Sequence, residues 1–399
     1  MNDIKRFHKD MILLFLAELL WPLGLALYSS FFPIHIKELG GSDIVVGIIM
    51  SIPPLMGVLA IVGGIWADFD DRRNVIIFGW AITIPAPLIW AFATSWQWML
   101  IGQIIYALTW VCSPAITLYI LDYDTTGNKI ASYTMVYLAA PIGSILAPAI
   151  GGKIASSYGR QTLYLIVFIL YSVSTLCTLL LSKQPVQNKE KNVDECYTRF
   201  SIKNKLSDTR DSIKQLAGII TFLTILVSSQ NIGESFLSLY MNEFRNISVE
   251  NIGLSFTALF AGASLFTFLF GKSDKKISSG TALNTGNIIF IISALLVCFT
   301  QNSISLLVLA FFLRGINRSI VVFTQVVLAK NINNENNKGF ILSLYIAVRS
   351  ILIGLVTYPG AALYRINPAY PFYAEALLVI IWMAVSYNSH LRNRFINYE

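Results

Sequence analysis

Long apolar runs alternate with short polar segments along almost the whole of the 399-residue chain. Each run is long enough to cross about 30 Å of hydrocarbon as a helix that rises about 1.5 Å per residue. The pattern therefore predicts an all-α integral membrane protein. Its twelve predicted spans, numbered in chain order, lie at about 11–33, 44–65, 74–94, 97–121, 131–152, 160–182, 215–240, 252–271, 281–300, 304–328, 339–364 and 370–389.

Basic residues indicate the orientation of these spans. The first apolar run follows Lys5, Arg6 and Lys9 as the core of a signal peptide would. It is too long for such a core and lacks a cleavage site of small residues, so we expect it to remain as span one. With the N-terminus cytoplasmic, 21 lysines and arginines face the cytoplasm and five face the other side. The positive-inside rule thus predicts a multi-pass protein of the cell membrane with both termini in the cytoplasm.

The longest polar stretch separates six spans from six. Residues 183–214 contain eight basic and five acidic residues, which predicts a cytoplasmic central loop with an amphipathic part that lies on lipid headgroups. The loop divides the chain into an N-terminal bundle at 1–182 and a C-terminal bundle at 215–399. The two halves also repeat one another, since "GSILAP" at 143–148 and "GLVTYP" at 354–359 share one glycine-to-proline spacing. Such repetition predicts two pseudo-symmetric six-helix bundles.

The loop between spans two and three contains a cluster of charged residues in "GGIWADFDDRR" at 63–73. A degenerate version of this segment, "FGKSDKK" at 270–276, lies at the corresponding place in the second half. Its arginines can pair with an acid at the cytoplasmic end of span four. Such pairs contribute about 0–1 kcal/mol when exposed and more when closure removes water from them. The loop is therefore either a latch for the cytoplasmic side, which we favour, or a solvated, positively charged turn. The predicted latch residues are Gly64, Asp68, Arg72, Arg73 and Asp122.

The same loop resembles the signature of the major facilitator superfamily, in which a glycine precedes an aspartate and a later pair of basic residues. Gly64, Asp68 and the two arginines fit this signature, whereas Phe69 and Asp71 replace a basic residue and a second glycine. The resemblance extends over the whole chain through the twelve spans, the two halves and the central loop. It implies alternating access, in which two bundles rock about a midplane site and the loop latches the cytoplasmic side.

Span five contains "GSILAPAIGG", which resembles the antiporter signature of the same superfamily. Small residues four positions apart let helices approach closely, and a proline bends the helix. The segment therefore indicates either export in exchange for protons, as the resemblance implies, or tight helix packing alone. In span four, Gln103 occupies the place of an arginine that the family links to proton coupling, so a proton route must use other residues. The packing motif comprises Gly143, Ala147, Pro148, Gly151 and Gly152, with Ala147 in the place of a glycine.

Five ionisable residues lie well inside the predicted spans, namely Glu18, Glu234, Arg314, Arg318 and Arg349. A charge at this depth costs several kcal/mol unless it meets a partner or water, so each residue is a functional candidate. The arginines outnumber the glutamates, which favours an anionic or zwitterionic solute because a guanidinium matches carboxylate and phosphate groups. A buried carboxyl can also carry a proton, and Glu18 is the candidate. The alternative is that the glutamates only neutralise the arginines.

Helical spacing places polar side chains in stripes on spans one, four, seven and ten, which line the central cavity in the family that this chain resembles. Tyr28, Tyr106 and Trp110 lie on these spans and either stack on a substrate or pack in the core. We place Glu375 too near the outer surface to be a candidate, and His35 among the surface residues. The predicted substrate or proton pathway comprises Glu18, Tyr28, Gln103, Tyr106, Trp110, Asn231, Glu234, Arg314, Arg318, Gln325 and Arg349.

We therefore predict a secondary active transporter of a small organic solute, either anionic or drug-like, that is coupled to protons and favours export. The alternatives are an uptake symporter or uniporter for an organic anion, and a membrane sensor that does not transport. The sequence shows no nucleophile and base pair or metal-ligand set at bilayer depth, so we expect no enzymatic activity, metal or cofactor. The net charge of +7 does not indicate nucleic acid, because the basic residues lie beside lipid headgroups. We expect a monomer in the lipid bilayer whose partners are its substrate and protons.

Overall fold

A computed structural model of the protein describes residues 2–123, 129–183, 209–273, 279–299, 303–330, 332 and 335–387. Within these ranges, eleven helical stretches are long and apolar enough to cross a membrane. Most of the predicted central loop lies outside the described residues, so its limits at 183 and 214 stay a prediction.

The first half of the chain forms helices that are often broken into shorter pieces. Pro53 and Pro54 lie inside span two and Pro85 starts the second piece of span three. Because a proline lacks a backbone N–H donor, these positions weaken the helical hydrogen bonding nearby. The helices are Asn2–Ser29 (span one), Phe32–Glu38 (a connecting helix), Asp43–Met56 and Leu59–Phe69 (span two), Arg72–Ala81 and Pro85–Ala91 (span three), Trp96–Ala107, the 3-10 turn Leu108–Cys112 and Ser113–Tyr123 (span four), and Lys129–Tyr137 with Ala139–Leu179 (spans five and six).

Spans five and six are joined without a polar loop. The stretch Ala139–Leu179 is continuous for 41 residues except at Gly159, whose φ of 83° and ψ of 166° lie outside the helical region. Glycine adopts a positive φ at little cost. Before Gly159, span five runs parallel to span one, whereas after it Ser174 bonds to the Ala17 carbonyl and Ser182 bonds to Asp10, which is the opposite direction. The chain therefore reverses at this glycine, and the stretch contributes two spans.

The second half of the chain repeats the six-span arrangement. Its helices are Arg210–Ser229, the 3-10 turn Glu234–Phe236, Leu237–Leu239 and the π-helical turn Tyr240–Phe244 (span seven), Val249–Ser273 (span eight), Ser279–Phe299 (span nine), Ile304–Arg314 and Ile316–Lys330 (span ten), Glu335–Ile366 (span eleven) and Tyr370–Tyr387 (span twelve). With the reversal at Gly159, the prediction of an all-α membrane protein with two six-helix bundles is confirmed.

The two bundles meet in the half of the bilayer that lies away from the chain termini. Span two packs on span eleven, where Gly47 lies against Ala361. Span five packs on span eight, where the Ala149 N–H donates to the Thr257 hydroxyl at 3.0 Å. These contacts define a junction between the bundles, formed by spans two, five, eight and eleven, which we call the far-end junction.

Polar groups outside the spans strengthen the far-end junction. Lys37 lies 2.7 Å from Asp43 in its own bundle and 3.9 Å from Glu243 in the other bundle.

His35 is half-buried, and its Nδ1 lies 3.1 Å from the Tyr164 hydroxyl, so its predicted place at the surface is wrong. Burial lowers the pKa of His35 to about 4, so the ring is neutral at neutral pH.

The packing motif of span five serves two neighbours at once. Gly143 and Gly151 face span one so closely that a Cβ atom on either would overlap the backbone of that helix. On the adjoining face, Pro148 and Gly152 contact Gly253 of span eight. All five motif residues are buried. The motif therefore has a structural role in packing, whatever its relation to the direction of transport.

We expect Gly151→Ala to destabilise the protein by about 1–3 kcal/mol, because the added methyl group has no space against span one. The matched control is Gly64→Ala, whose Cβ would lie 3.8 Å from Pro114 in ordinary contact and should change stability by less than about 0.5 kcal/mol. Thermal unfolding of the detergent-purified variants, followed by tryptophan fluorescence, measures both. Equal unfolding temperatures would contradict the close approach of spans one and five.

Candidate functional site

A cavity of about 430 Å³ lies among the described residues of the N-terminal bundle, between spans one to five. It is lined by all five of the predicted pathway residues that belong to this bundle. Three tryptophans also line it, of which two were not predicted from the sequence. The lining includes Glu18, Trp21, Tyr28, Trp80, Gln103, Tyr106, Trp110 and Tyr137.

Stacked aromatic rings form one wall of this cavity. The Trp21 ring lies 4.1 Å from the Tyr171 ring and 5.3 Å from the Trp80 ring, and both pairs are inclined by only 10°. Tyr106 continues the stack at 6.3 Å from Trp21, and Tyr28 meets Tyr106 edge-on at 6.5 Å. Because each ring is held by its neighbours, the wall is rigid and presents fixed faces. We call these five residues the aromatic wall; four of them line the cavity, and Tyr171 packs against Trp21 behind them.

The aromatic candidates divide into residues that pack in the core and a residue that can stack on a substrate. Tyr28 is 2% exposed and Tyr106 is 7% exposed, so both are packed mainly within the bundle. Trp110 is 38% exposed and presents more of its ring to the cavity. Trp21 could have been predicted, because it follows Glu18 by three positions and so lies on the same helical face.

Glu18 is the one charged residue among the described residues that line the cavity. No Lys or Arg in the described part of the chain forms an ion pair with it. A carboxylate among aromatic faces attracts a cation, because it supplies the counter-charge and each ring supplies a negative face. The cavity is therefore suited to a cation, and none of the arginines that were counted toward a positively charged cavity lines it.

Gln103 adds a neutral acceptor to the same cavity. Its side chain is 5% exposed, and its Oε1 has no hydrogen-bond partner among the described residues. A buried acceptor is normally satisfied, so an unpaired one at a cavity wall is free to bind a ligand donor. Gln103 and Glu18 together give the cavity two acceptors on its otherwise largely apolar surface.

In the C-terminal bundle, ionisable residues pair with each other. The Arg314 Nε donates to Glu234 at 3.1 Å, and its Nη2 donates to the two oxygens of Glu375 at 2.8 and 3.0 Å. The side chains of Arg314 and Glu375 are both 0% exposed. We call Glu234, Arg314 and Glu375 the ionic cluster. The expectation that Arg314 borders a watery path is therefore wrong, and neutralisation by glutamate is the arrangement observed.

Glu375 is the main functional residue that sequence reasoning missed. It was excluded because it lies near the start of span twelve, but its side chain is fully buried and binds Gly233 of span seven and Arg314 of span ten. With this third acid, arginines and glutamates within the spans balance, so the argument for an anionic solute no longer holds. Its position inside an apolar span was the available signal, since a buried acid requires a partner such as Arg314.

The ionic cluster also holds a break in span seven. Residues 230–233 are not helical, and the Gly233 N–H donates to the Glu375 Oε1 at 2.7 Å. Span ten is interrupted at Gly315, directly after Arg314. Carboxylate and guanidinium groups thus bind backbone and side chains where two helices are interrupted, which fixes both breaks.

The other candidates of the C-terminal bundle do not gather around one cavity in the described structure. Asn231 donates to the Val227 carbonyl of its own helix at 2.7 Å, and Gln325 is half-buried. Arg318 has a half-exposed side chain with its guanidinium 4.7 Å from the Phe260 ring centre. Arg349 is 9% exposed and lies over the Tyr345 ring at 5.5 Å.

The arginines of the predicted latch bind backbone carbonyls within their own bundle. Arg72 Nη1 donates to the Leu118 carbonyl at 3.2 Å, and Arg73 Nη2 donates to the Leu179 carbonyl at 2.6 Å. The side chains of Asp68 and Asp122 lie outside the described residues, so the latch stays a prediction. Gly64 packs loosely beside span four.

Comparison with known proteins places these features in context. The sequence profile of the Major Facilitator Superfamily matches residues 14–245 and 219–389. The chain is 24% identical over 398 residues to "Multi-drug resistance efflux pump PmrA homolog" of Lactococcus lactis subsp. lactis, with 93% of each protein covered. It is 27% identical over 419 residues to "Multidrug resistance protein MdtG" of Escherichia fergusonii, with 98% of this chain and 97% of the relative covered. The fold is similar to the crystal structure of a bacterial homologue of the human lysosomal transporter Spinster in an inward-facing, unoccupied conformation, with a TM-score of 0.73, 14% identity, and 98% of this chain and 97% of that chain covered.

We expect Arg314→Gln to destabilise the protein by about 3–5 kcal/mol, because it leaves two carboxylates facing each other without their cation. Arg318→Gln, on a half-exposed side chain, should cost less than about 1 kcal/mol. Thermal unfolding of the purified variants, together with their yield as monodisperse protein, measures the difference. Comparable losses for both variants would contradict the central place of Arg314 in the bundle.

Proposed function

Because the chain belongs to the Major Facilitator Superfamily, it is a multi-pass membrane transporter of small solutes, and we propose that it exports lipophilic organic cations in exchange for protons. The observation that carries the proposal is the cavity in which Glu18 faces the aromatic wall without a cation from the described part of the chain. The names of the relatives, which are multidrug efflux proteins, support export and a drug-like substrate.

The cavity matches such a substrate in size and chemistry. Its volume of about 430 Å³ lies within the range of about 300–1,000 Å³ that is usual for sites of drug-sized ligands. The apolar body of the substrate would pack on Trp110, and its positive charge would lie near Glu18. In a site without water, the contact between a cation and an aromatic face contributes about 2 kcal/mol to binding. This contribution adds to the attraction of the carboxylate.

Exchange follows from the presence of a single carboxylate. Glu18 can be neutralised by a proton or by a cationic substrate, and the two compete for the same charge. An uncompensated carboxylate is costly inside the membrane, so the loaded and the protonated forms cross more readily than the empty, ionised form. If the bundles change conformation only when a proton or a cationic substrate neutralises Glu18, the protein exchanges one for the other across the membrane.

The orientation of the chain then assigns the direction of access. We propose that both termini are cytoplasmic, since basic residues are concentrated on that side. The far-end junction then seals the external side, and the cavity loads from the cytoplasm. Rocking of the bundles would open this junction while the loop at 64–73 latches the cytoplasmic side. We further propose that the protein acts as a monomer, with bundles at 1–182 and 215–399.

Glu18→Gln tests the proposed site directly. We expect it to weaken binding of tetraphenylphosphonium, a monovalent lipophilic cation, by about tenfold or more, because the attraction of one charge is lost. Thermal stabilisation of purified protein by this probe reports binding, and proteoliposomes with an imposed pH gradient report exchange. Proton-driven exchange should fall in the variant, because the substrate is bound more weakly.

The matched control is Glu250→Gln, which makes the same change at an exposed glutamate at the start of span eight. It should leave binding and exchange unchanged. Stabilisation of the wild type by benzoate but not by tetraphenylphosphonium would refute cation transport. Tetraphenylphosphonium binding as tight in Glu18→Gln as in the wild type would refute the role of Glu18.

Trp110→Ala tests the aromatic contribution separately from charge. Loss of one cation–aromatic contact of about 1–2 kcal/mol should weaken tetraphenylphosphonium binding by about five- to thirtyfold. Trp98→Ala, at an exposed tryptophan of the same span that does not line the cavity, is the control. Thermal stabilisation curves for both variants give the affinities, and equal affinities would remove Trp110 from the site.

A further inference from the structure

The ionic cluster contains two carboxylates and only one guanidinium. Arg314 and Glu375 have fully buried side chains, whereas the side chain of Glu234 is 23% exposed. The Nη1 of Arg314 is buried without a hydrogen-bond partner among the described residues. With both acids ionised the cluster has a net charge of −1, which is unfavourable at this depth in the membrane. The cluster therefore requires a fourth charge, and Glu234 is where solvent reaches it.

Arg318 supplies this fourth charge only loosely. Its Nη2 lies 3.9 Å from the Glu234 Oε1, which is beyond hydrogen-bond distance, and its side chain is 49% exposed. Its guanidinium instead lies over the Phe260 ring, 4.7 Å from the ring centre. The Arg318 guanidinium thus lies between the Glu234 carboxylate and the Phe260 ring.

The position of Phe260 links Arg318 to the motion of the bundles. Phe260 follows Thr257 by three residues in span eight, and Thr257 accepts the hydrogen bond from Ala149 at the far-end junction. Rocking of the bundles would break the contact between Ala149 and Thr257, one helical turn from Phe260. A shift of Phe260 that followed would alter how well Arg318 can reach Glu234.

Other titratable groups near the ionic cluster do not supply the missing charge. Cys298 of span nine lies near it, but Arg245 donates to the carbonyl of that cysteine and lies over the Tyr240 ring at 5.4 Å. Tyr364 of span eleven stacks on Phe236 at 5.1 Å and is neutral. Among the described residues, Arg318 is the one cation besides Arg314 that lies within 4.0 Å of the Glu234 carboxylate.

We propose that the ionic cluster is a second proton-binding site, in which a proton and Arg318 alternate as the fourth charge. When Arg318 withdraws, a proton from water adds to a carboxylate oxygen of Glu234. When Arg318 returns, the proton leaves to water, and the charge of the cluster stays balanced in both forms.

The proposal rests on the proposed function and adds a stoichiometry to it. Glu18 exchanges one proton for one cationic substrate, and the ionic cluster carries a second proton across in each cycle. Two protons then exchange for one monovalent cation, so each cycle moves net charge. The cluster itself does not contact the substrate, because it lies in the other bundle from the cavity.

The ratio is measured in proteoliposomes that hold a tenfold proton gradient, with the membrane potential set to zero by valinomycin and equal potassium. Tetraphenylphosphonium is followed until its gradient is steady, and protein-free vesicles give the passive leak. The final gradient is about tenfold if one proton exchanges for each cation and about a hundredfold if two do.

We expect about a hundredfold for the wild type and for the control Glu250→Gln. Glu234→Gln should give about tenfold, because the exposed carboxyl can no longer bind a proton. Arg318→Gln should also give about tenfold, because the proton then remains on the cluster throughout the cycle. Arg318→Lys keeps a positive charge and should restore about a hundredfold. The half-exposed Arg318 provides this second test even if Glu234→Gln folds poorly.

The outcomes separate the two proposals. A gradient of about tenfold in the wild type, or of about a hundredfold in Glu234→Gln and Arg318→Gln, would overturn the second proton site and leave the proposed exchange intact. A wild type that builds no tetraphenylphosphonium gradient from the proton gradient would overturn both.

Discussion

An ionised side chain inside a membrane must be matched by an opposite charge, and this constraint organises the protein. The C-terminal bundle meets it internally, since Arg314 is bound by Glu234 and Glu375 and excluded from solvent. The N-terminal bundle leaves Glu18 at the wall of a cavity to which no other described residue contributes a charge. A ligand can therefore complete the charge balance of one bundle, while the other bundle is already largely complete.

Close backbone packing lets each bundle move as one unit together with its own charged residues. The ionic cluster binds spans seven and ten where each is interrupted, so the broken helices remain parts of one body. In span five, glycines bring span one and span eight against a single helix. Contacts between the bundles involve small residues and few hydrogen bonds, as at Gly47 and Ala149. Such surfaces separate at lower cost than an interlocked core or a network of ion pairs would.

The fold was predictable because hydrophobic length is a property of each segment alone. Apolar runs and basic loops gave twelve spans, and the structure added only that spans five and six meet at Gly159 instead of a polar loop. The cavity was partly predictable, because Glu18 and Gln103 are polar residues in apolar surroundings. Glu375 was missed because depth along one helix does not show which neighbours cover it. Burial by other spans is a tertiary property, and a single sequence records it only indirectly.

The sign of the charge in the cavity is likewise a tertiary property that the sequence alone does not give. Counting arginines and glutamates inside spans gives their number, but not which of them share a cavity. In the structure Glu18 lines the cavity and the arginines do not. The charge of the cavity is therefore set by this one carboxylate and not by the sum over all spans. Electrostatic inference from sequence therefore requires partners as well as depth.

The loop arginines have a consequence for how this protein tolerates sequence change. Arg72 and Arg73 bind main-chain oxygens near the ends of spans four and six. A carbonyl is present whatever side chain the residue carries, so these anchors place little restriction on the amino acids at positions 118 and 179. The loop can therefore depart from the family signature at Phe69 and Asp71 and still fasten three helices together at their ends.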